Sequence, residues 1–140
     1  MRTLLEKELA KAHIEAKFTW DIGATENEMQ EALLLIRQAQ WRWDFGVSSH
    51  GGSFHAPQET MRILGHGLNK VFQARMLISK VLVAHGYTDN VPLPDITTKE
   101  KAQQYIGLDM AVEKADKDKF LKEIVPEWLQ KAKANGRIVN

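Results

Sequence analysis

Apolar residues recur every three or four positions along most of this 140-residue chain, and no useful stretch alternates with the period of two that a half-buried strand requires. The pattern predicts an all-α protein with one long central helix. Leu5, Leu9, Ala12, His13, Ala16 and Trp20 line one face of a helix over residues 2–22, which Gly23 stops. Thr25 and Glu28 have the spacing of a capping box and open a second helix. Its stripe runs through Met29, Leu33, Ile36, Trp43 and Val47, with Trp41 beside it, until three glycines between Phe45 and Phe54 break the pattern.

The third helix is predicted from Pro57 to His85, about 43 Å long at ~1.5 Å per residue. Pro57 suits a first turn because its missing N–H would be unpaired there anyway, and Glu59 places negative charge near the positive end of the dipole. Met61, Leu64, Leu68, Val71, Arg75, Ile78 and Leu82 form a heptad-like seam with one polar member. Ile63, Phe72, Met76, Leu77 and Val83 lie off that seam, so more than one face needs cover. Gly65 and Gly67 each weaken this helix by about 1 kcal/mol relative to alanine, a cost expected where a backbone or large ligand comes close. After Gly86, Pro92 and Pro94 mark an extended connection. A capping box at Thr97-Thr98-Lys99-Glu100 begins a short helix that Gly107 closes, and a last helix over about 110–134 is expected to bend or restart at Pro126.

The composition fits one soluble domain, residues 1–140: 44% hydrophobic and 26% charged, with a formal net charge of +1. The two signs are interleaved, which predicts no nucleic-acid partner and no anionic membrane. The charged N-terminus lacks the apolar core of a signal peptide, and no run is long enough to insert in a bilayer. There is no cysteine, hence no disulfide, no thiolate site and no C-x-x-C-H haem attachment in this chain.

Five histidines, His13, His50, His55, His66 and His85, are the strongest metal ligands, and none stands at a zinc-binding spacing. His50 and His55 share the glycine-rich bend but make only half a site. No serine sits in a nucleophile elbow and the carboxylates read as solvated charge. Trp20, Trp41, Trp43 and Trp128 are expected in the core, and His13, on an apolar stripe, as a buried hydrogen-bonded histidine. His66 and His85 have no supporting context. His55 differs. It precedes Ala56-Pro57, where proline forces an extended conformation, so its imidazole is expected at a helix mouth rather than in a helix wall.

The run Ala39-Gln40-Trp41-Arg42-Trp43-Asp44, followed by Ser49-His50-Gly51 and His55-Ala56-Pro57-Gln58-Glu59, resembles the C-terminal domain of the ammonia-forming pentahaem cytochrome c nitrite reductases. Trp20-Asp21-Ile22-Gly23-Ala24-Thr25 and Pro94-Asp95-Ile96-Thr97-Thr98-Lys99-Glu100 extend the likeness in the same order. The resemblance implies a helical C-terminal fragment of a periplasmic oxidoreductase that reduces nitrite to ammonium, a fragment inactive alone. Its partners would be the rest of the parent reductase and a second copy, a homodimer formed through residues 57–85. It implies c-type haem and calcium in the parent, their attachment sites and ligands lying outside this chain, and no catalytic residue within it. One functional residue carries over: His55 matches the distal axial ligand to a haem iron, a position suited to electron transfer. The alternative is a self-sufficient helical dimerisation or interaction module without cofactor.

Overall fold

A computed structural model describes residues 1–49 and 51–138, all of whose regular structure is helical. The elements are α1 (Arg2–Asp21), α2 (Glu26–Ser48), α3 (Gly52–His55), α4 (Pro57–Ala84), α5 (Lys99–Tyr105), α6 (Met110–Lys119), a π-helical turn (Phe120–Ile124) and α7 (Val125–Ala134). The all-α expectation holds. The chain divides into two compact units, Met1–Leu93 and Pro94–Asn140.

In the first unit α1, α2 and α4 pack pairwise around one core. Leu5, Leu9, Ala12 and Ala16 of α1 meet Met29, Ala32, Leu35, Ile36 and Ala39 of α2 and Leu64, Val71, Ala74, Ile78 and Leu82 of α4. Fully buried side chains such as Leu5, Val71 and Ile78 each contribute about 1.5–3 kcal/mol by leaving water. From Leu64 to Leu82 the α4 seam is thus spent inside the unit, while Met61 at its start stays exposed. Its polar member is built in: the Arg75 guanidinium grips Glu15 through Nε and Nη2, at 2.8 and 2.5 Å, and reaches Glu8 through Nη1. Glu8 is also held by Lys11 at 2.7 Å. The outer apolar set stays exposed at Phe72, Met76 and Val83.

Small residues set how closely the helices approach. A Cβ on Gly67 would lie 2.8 Å from Leu5 Cδ2 and 3.3 Å from Arg42 Cβ, and one on Gly46 would lie 2.8 Å from Leu64 Cδ2. Gly65 faces open space, so only one of the two α4 glycines meets the close approach that both were expected to serve. α2 runs through Gly46, which packs on α4, and ends at Ser48, inside the interval from Phe45 to Phe54 where the pattern was expected to break. At the other end Gly86, at φ +81°, closes α4 in a Schellman turn whose Tyr87 N–H donates to the Leu82 carbonyl. The Tyr87 ring then covers Phe18, with centroids 4.8 Å apart.

The capping box at α2 forms as expected, with the Thr25 N–H donating to Glu28 Oε2 at 2.7 Å and the Glu28 N–H to Thr25 Oγ1 at 3.4 Å. The Thr25 hydroxyl also donates to Glu28 Oε2, and His85 Nε2 lies 3.1 Å from Oε1. The hydrogen bonds from Thr25, then that from His85, pull the Glu28 carboxyl from 4.5 down to about 2. A folded-state pKa below the unfolded one adds stability that is complete above about pH 4.5 and lost as pH falls toward 2. Urea midpoints of wild type and Glu28→Gln should therefore differ at pH 7 and converge at about pH 2. A difference independent of pH would assign the effect to shape rather than charge.

In the second unit the short helix starts one residue later than predicted. Thr98, not Thr97, caps α5, accepting the Lys101 N–H at 3.3 Å, while Asp95 accepts the Thr97 N–H and hydroxyl at 3.0 and 2.6 Å and pairs with Lys101. Asp109 caps α6. The restart at Pro126 also appears: proline cannot donate back to residue 122, and the turn before it widens to π before α7 continues. Phe120 and Trp128 meet edge to face at 5.4 Å across that turn.

Candidate functional site

The link between α2 and α4 is built to display one imidazole. Gly51, at φ +80°, reverses the chain after α2 and accepts the Phe54 and His55 N–H groups at 3.0 and 2.8 Å, which folds residues 52–55 into the single turn α3. Sequence periodicity missed that turn, since four residues carry no period. Pro57 then holds Ala56 extended, at φ −140°, and starts α4. His55 is exposed at the end of α3, with its ring folded over Gly51: a Cβ there would lie 3.1 Å from Cδ2 and 3.6 Å from Nε2. Phe54, 83% exposed, meets the imidazole edge to face at 5.2 Å. The ring nitrogens have no hydrogen-bond partner among the described residues. Gly51 is thus required twice, for its backbone angle and for the space the ring occupies.

The other histidines are placed apart. His13 is exposed, which corrects its reading as a buried residue, and lines a shallow pocket of about 210 Å³ with Glu6, Leu9, Gln40 and Trp43. His85 is taken by Glu28. His50, and with it any pairing with His55, lies outside the described residues. Among the described residues no three His, Cys, Asp or Glu side chains gather to hold a metal ion, and the calcium, whose ligands were expected outside this chain, gains no support from them.

Two helical turns from His55, a groove of about 210 Å³ separates the last turns of α2 from the first turns of α4. Trp41, Arg42, Phe45, Arg62, Ile63 and His66 line it. Trp41 stacks on Phe45 at 5.9 Å and is 64% exposed, and Trp20 and Trp128 are exposed as well. Only Trp43 of the four is half-buried against the core. The expectation that all four are core fails because burial in α1 and α2 is taken by smaller neighbours such as Ala12, Ala16 and Ala39, which let the helices close. Arg62 is neutralised by a two-point pair with Glu59, at 2.7 and 2.5 Å. Arg42 is steadied by the Gln38 carbonyl at 2.7 Å and has no carboxylate partner among the described residues. Sequence reading noted Trp41 as lying off the stripe, the one signal that α2 has a second, outward aromatic face.

Residues 1–136 match the model of the cytochrome c552 family. The chain is 74% identical over 138 residues to the cytochrome c-552 of Bacteroides fragilis and 47% identical over 136 residues to that of Haemophilus influenzae. These alignments take in 99% and 97% of this chain and 28% and 25% of the relatives, so the chain spans about a quarter of their length. The matches overturn the nitrite-reductase identity and activity implied by the resemblance, because the family and both relatives carry the name cytochrome c-552 and not that of a nitrite reductase. The partners expected with that enzyme, its remaining part and a homodimer through residues 57–85, fall with it. The packing gives a reason within the helix itself: the seam read as an intersubunit contact is filled by α1 and α2. A cofactor-free interaction module is likewise displaced by a cytochrome match along nearly the whole chain.

Proposed function

This chain belongs to the cytochrome c552 family, and from that premise we propose that it serves electron transfer by supplying His55 as an axial ligand to a c-type haem anchored on cysteines it does not itself contain. The observation that carries the reading is the exposed imidazole of His55, which has no hydrogen-bond partner among the described residues and lies over Gly51 with its edge against Phe54. A nitrogen free of protein hydrogen bonds keeps its lone pair for a metal. The residues fit an axial contact and not an attachment, since there is no thiol to bond a porphyrin vinyl group. Bound there, a c-type haem would supply one-electron ferric/ferrous chemistry, with His55 as the ligand that this chain contributes to its iron, which suits electron transfer. The Phe54 ring meets the imidazole edge to face, and the missing side chain at Gly51 leaves the space that the imidazole occupies.

The test uses the chain with an N-acetylated haem c peptide, whose iron holds one peptide histidine and has one open axial position. Wild type should convert its visible spectrum to that of a low-spin bis-imidazole complex; His55→Ala should abolish the change, and His13→Ala, His66→Ala and His85→Ala should not. A folded wild type that leaves the spectrum unaltered, or a His55→Ala variant that still converts it, overturns the assignment. The same reading places the protein in the periplasm, which fractionation of the cells would check: recovery with the cytoplasmic contents would refute it.

A further inference from the structure

The groove beside α3 has a composition that axial ligation does not use. Its walls are a stacked aromatic pair, Trp41 and Phe45, and Ile63, while its cationic groups are Arg42, Arg62 and His66. Glu59 cancels Arg62, which leaves Arg42 as the uncompensated charge, together with an imidazole able to donate. One Arg42 nitrogen is tied to the Gln38 carbonyl, so the guanidinium is held in place with donors to spare. A flat apolar wall beside a fixed guanidinium is complementary to a flat, apolar molecule with carboxylates at its edge. An acidic peptide would use the charge and leave the stacked rings wet; an uncharged aromatic would leave Arg42 unmatched.

We infer that this groove is a binding subsite for the carboxylate-bearing edge of a porphyrin, with Arg42 as the carboxylate anchor and Trp41 and Phe45 as the apolar wall. The inference rests on the haem reading above and extends it from the iron to the periphery of the ring. The groove begins close to the link that carries His55: from Pro57 to Arg62, one of its lining residues, α4 rises about 7.5 Å at ~1.5 Å per residue. That is the scale of a porphyrin from its centre to a propionate. Arg42 comes from α2 and His55 from the link between α2 and α4, the two helices whose facing turns form the groove.

Two probes separate this subsite from the ligand. The first is the N-acetylated haem c peptide, and the second is the same peptide freed of iron, which cannot take an axial imidazole and is read by quenching of tryptophan fluorescence. Arg42→Gln should weaken both probes about tenfold, equivalent to about 1.4 kcal/mol, while the spectrum at saturation with the first stays bis-imidazole. Methyl esterification of both propionates should weaken wild type to the same degree and erase the difference between wild type and Arg42→Gln. If His55 is not the ligand, the iron-free probe should still discriminate Arg42→Gln from wild type while His55→Ala does not, so the subsite survives the failure of the ligand assignment. Equal affinities of wild type and Arg42→Gln for the iron-free probe, with circular dichroism showing both folded, would overturn it. So would a difference that persists with the esterified probe.

Discussion

Replacing Arg75 by methionine should destabilise the unit Met1–Leu93 by about 2–3 kcal/mol, less than the ~3–5 kcal/mol typical when one partner of a fully buried pair is removed. The discount follows from geometry: the guanidinium is 27% exposed and water can replace part of what it gives. The loss remains large because Glu8 is 6% exposed and would be left with Lys11 as its cation, while Glu15 would lose the guanidinium that grips both of its oxygens. Burial pushes the Glu8 carboxyl up, but the Lys11 hydrogen bond and the charges of Arg75 and Lys11 outweigh it and hold it below its usual 4.5. The Glu8 contribution is therefore complete above about pH 4.5 and declines as pH falls through the folded-state value. Urea unfolding of wild type and Arg75→Met should show a gap that is widest near neutrality and narrows in acid. A gap of only about 0.5 kcal/mol at pH 7 would class the cluster with ordinary surface pairs.

The second large effect concerns the crossing of α1 on α4. Leu5→Ala should cost about 2–5 kcal/mol, since the side chain is fully buried and its neighbours collapse only in part. Gly67→Ala should cost about 1–3 kcal/mol, because the new methyl group falls 2.8 Å from Leu5 Cδ2 and 3.3 Å from Arg42 Cβ. Combined, the two should cost less than their sum by about 0.5–3 kcal/mol, as the added methyl enters space that the leucine has vacated. Gly65→Ala, two residues away, should have the opposite sign and stabilise by about 0.4–1 kcal/mol, for its site is open and its backbone helical. Thermal or urea denaturation of the four variants decides the matter; strict additivity of Leu5→Ala and Gly67→Ala would show that α1 and α4 do not share this contact.

Periodicity was sufficient for the long helices because their apolar stripes, their Thr25 cap and their terminal glycines all act within a few residues of each other. It was insufficient at Thr97 and Thr98, where two threonines offer the same hydroxyl one residue apart and the Asp95 carboxylate takes the first. It also failed at the tryptophans, because a large apolar side chain on a stripe is not thereby inside. Alanines at the crossings leave the axes too close for Trp20 or Trp41 to enter.

His55 could be singled out from its proline context, whereas the groove with Arg42 could not. An arginine four residues from Gln38 and twenty from Arg62 has no local signature of a site. What the amino-acid order determined by itself is the all-helical class, the Thr25 cap of α2 and the glycine stops that follow α1 and α4, and the break at which one histidine is displayed, since all of these follow from hydrogen bonds and torsions within a turn or two. Only the tertiary structure decided that the Arg75 seam closes on Glu8 and Glu15 rather than on another molecule, and that Arg42, Trp41 and His66 share one groove. Those outcomes depend on which helix faces come together, and that is settled by the fit of side-chain volumes across the crossings at Gly46 and Gly67.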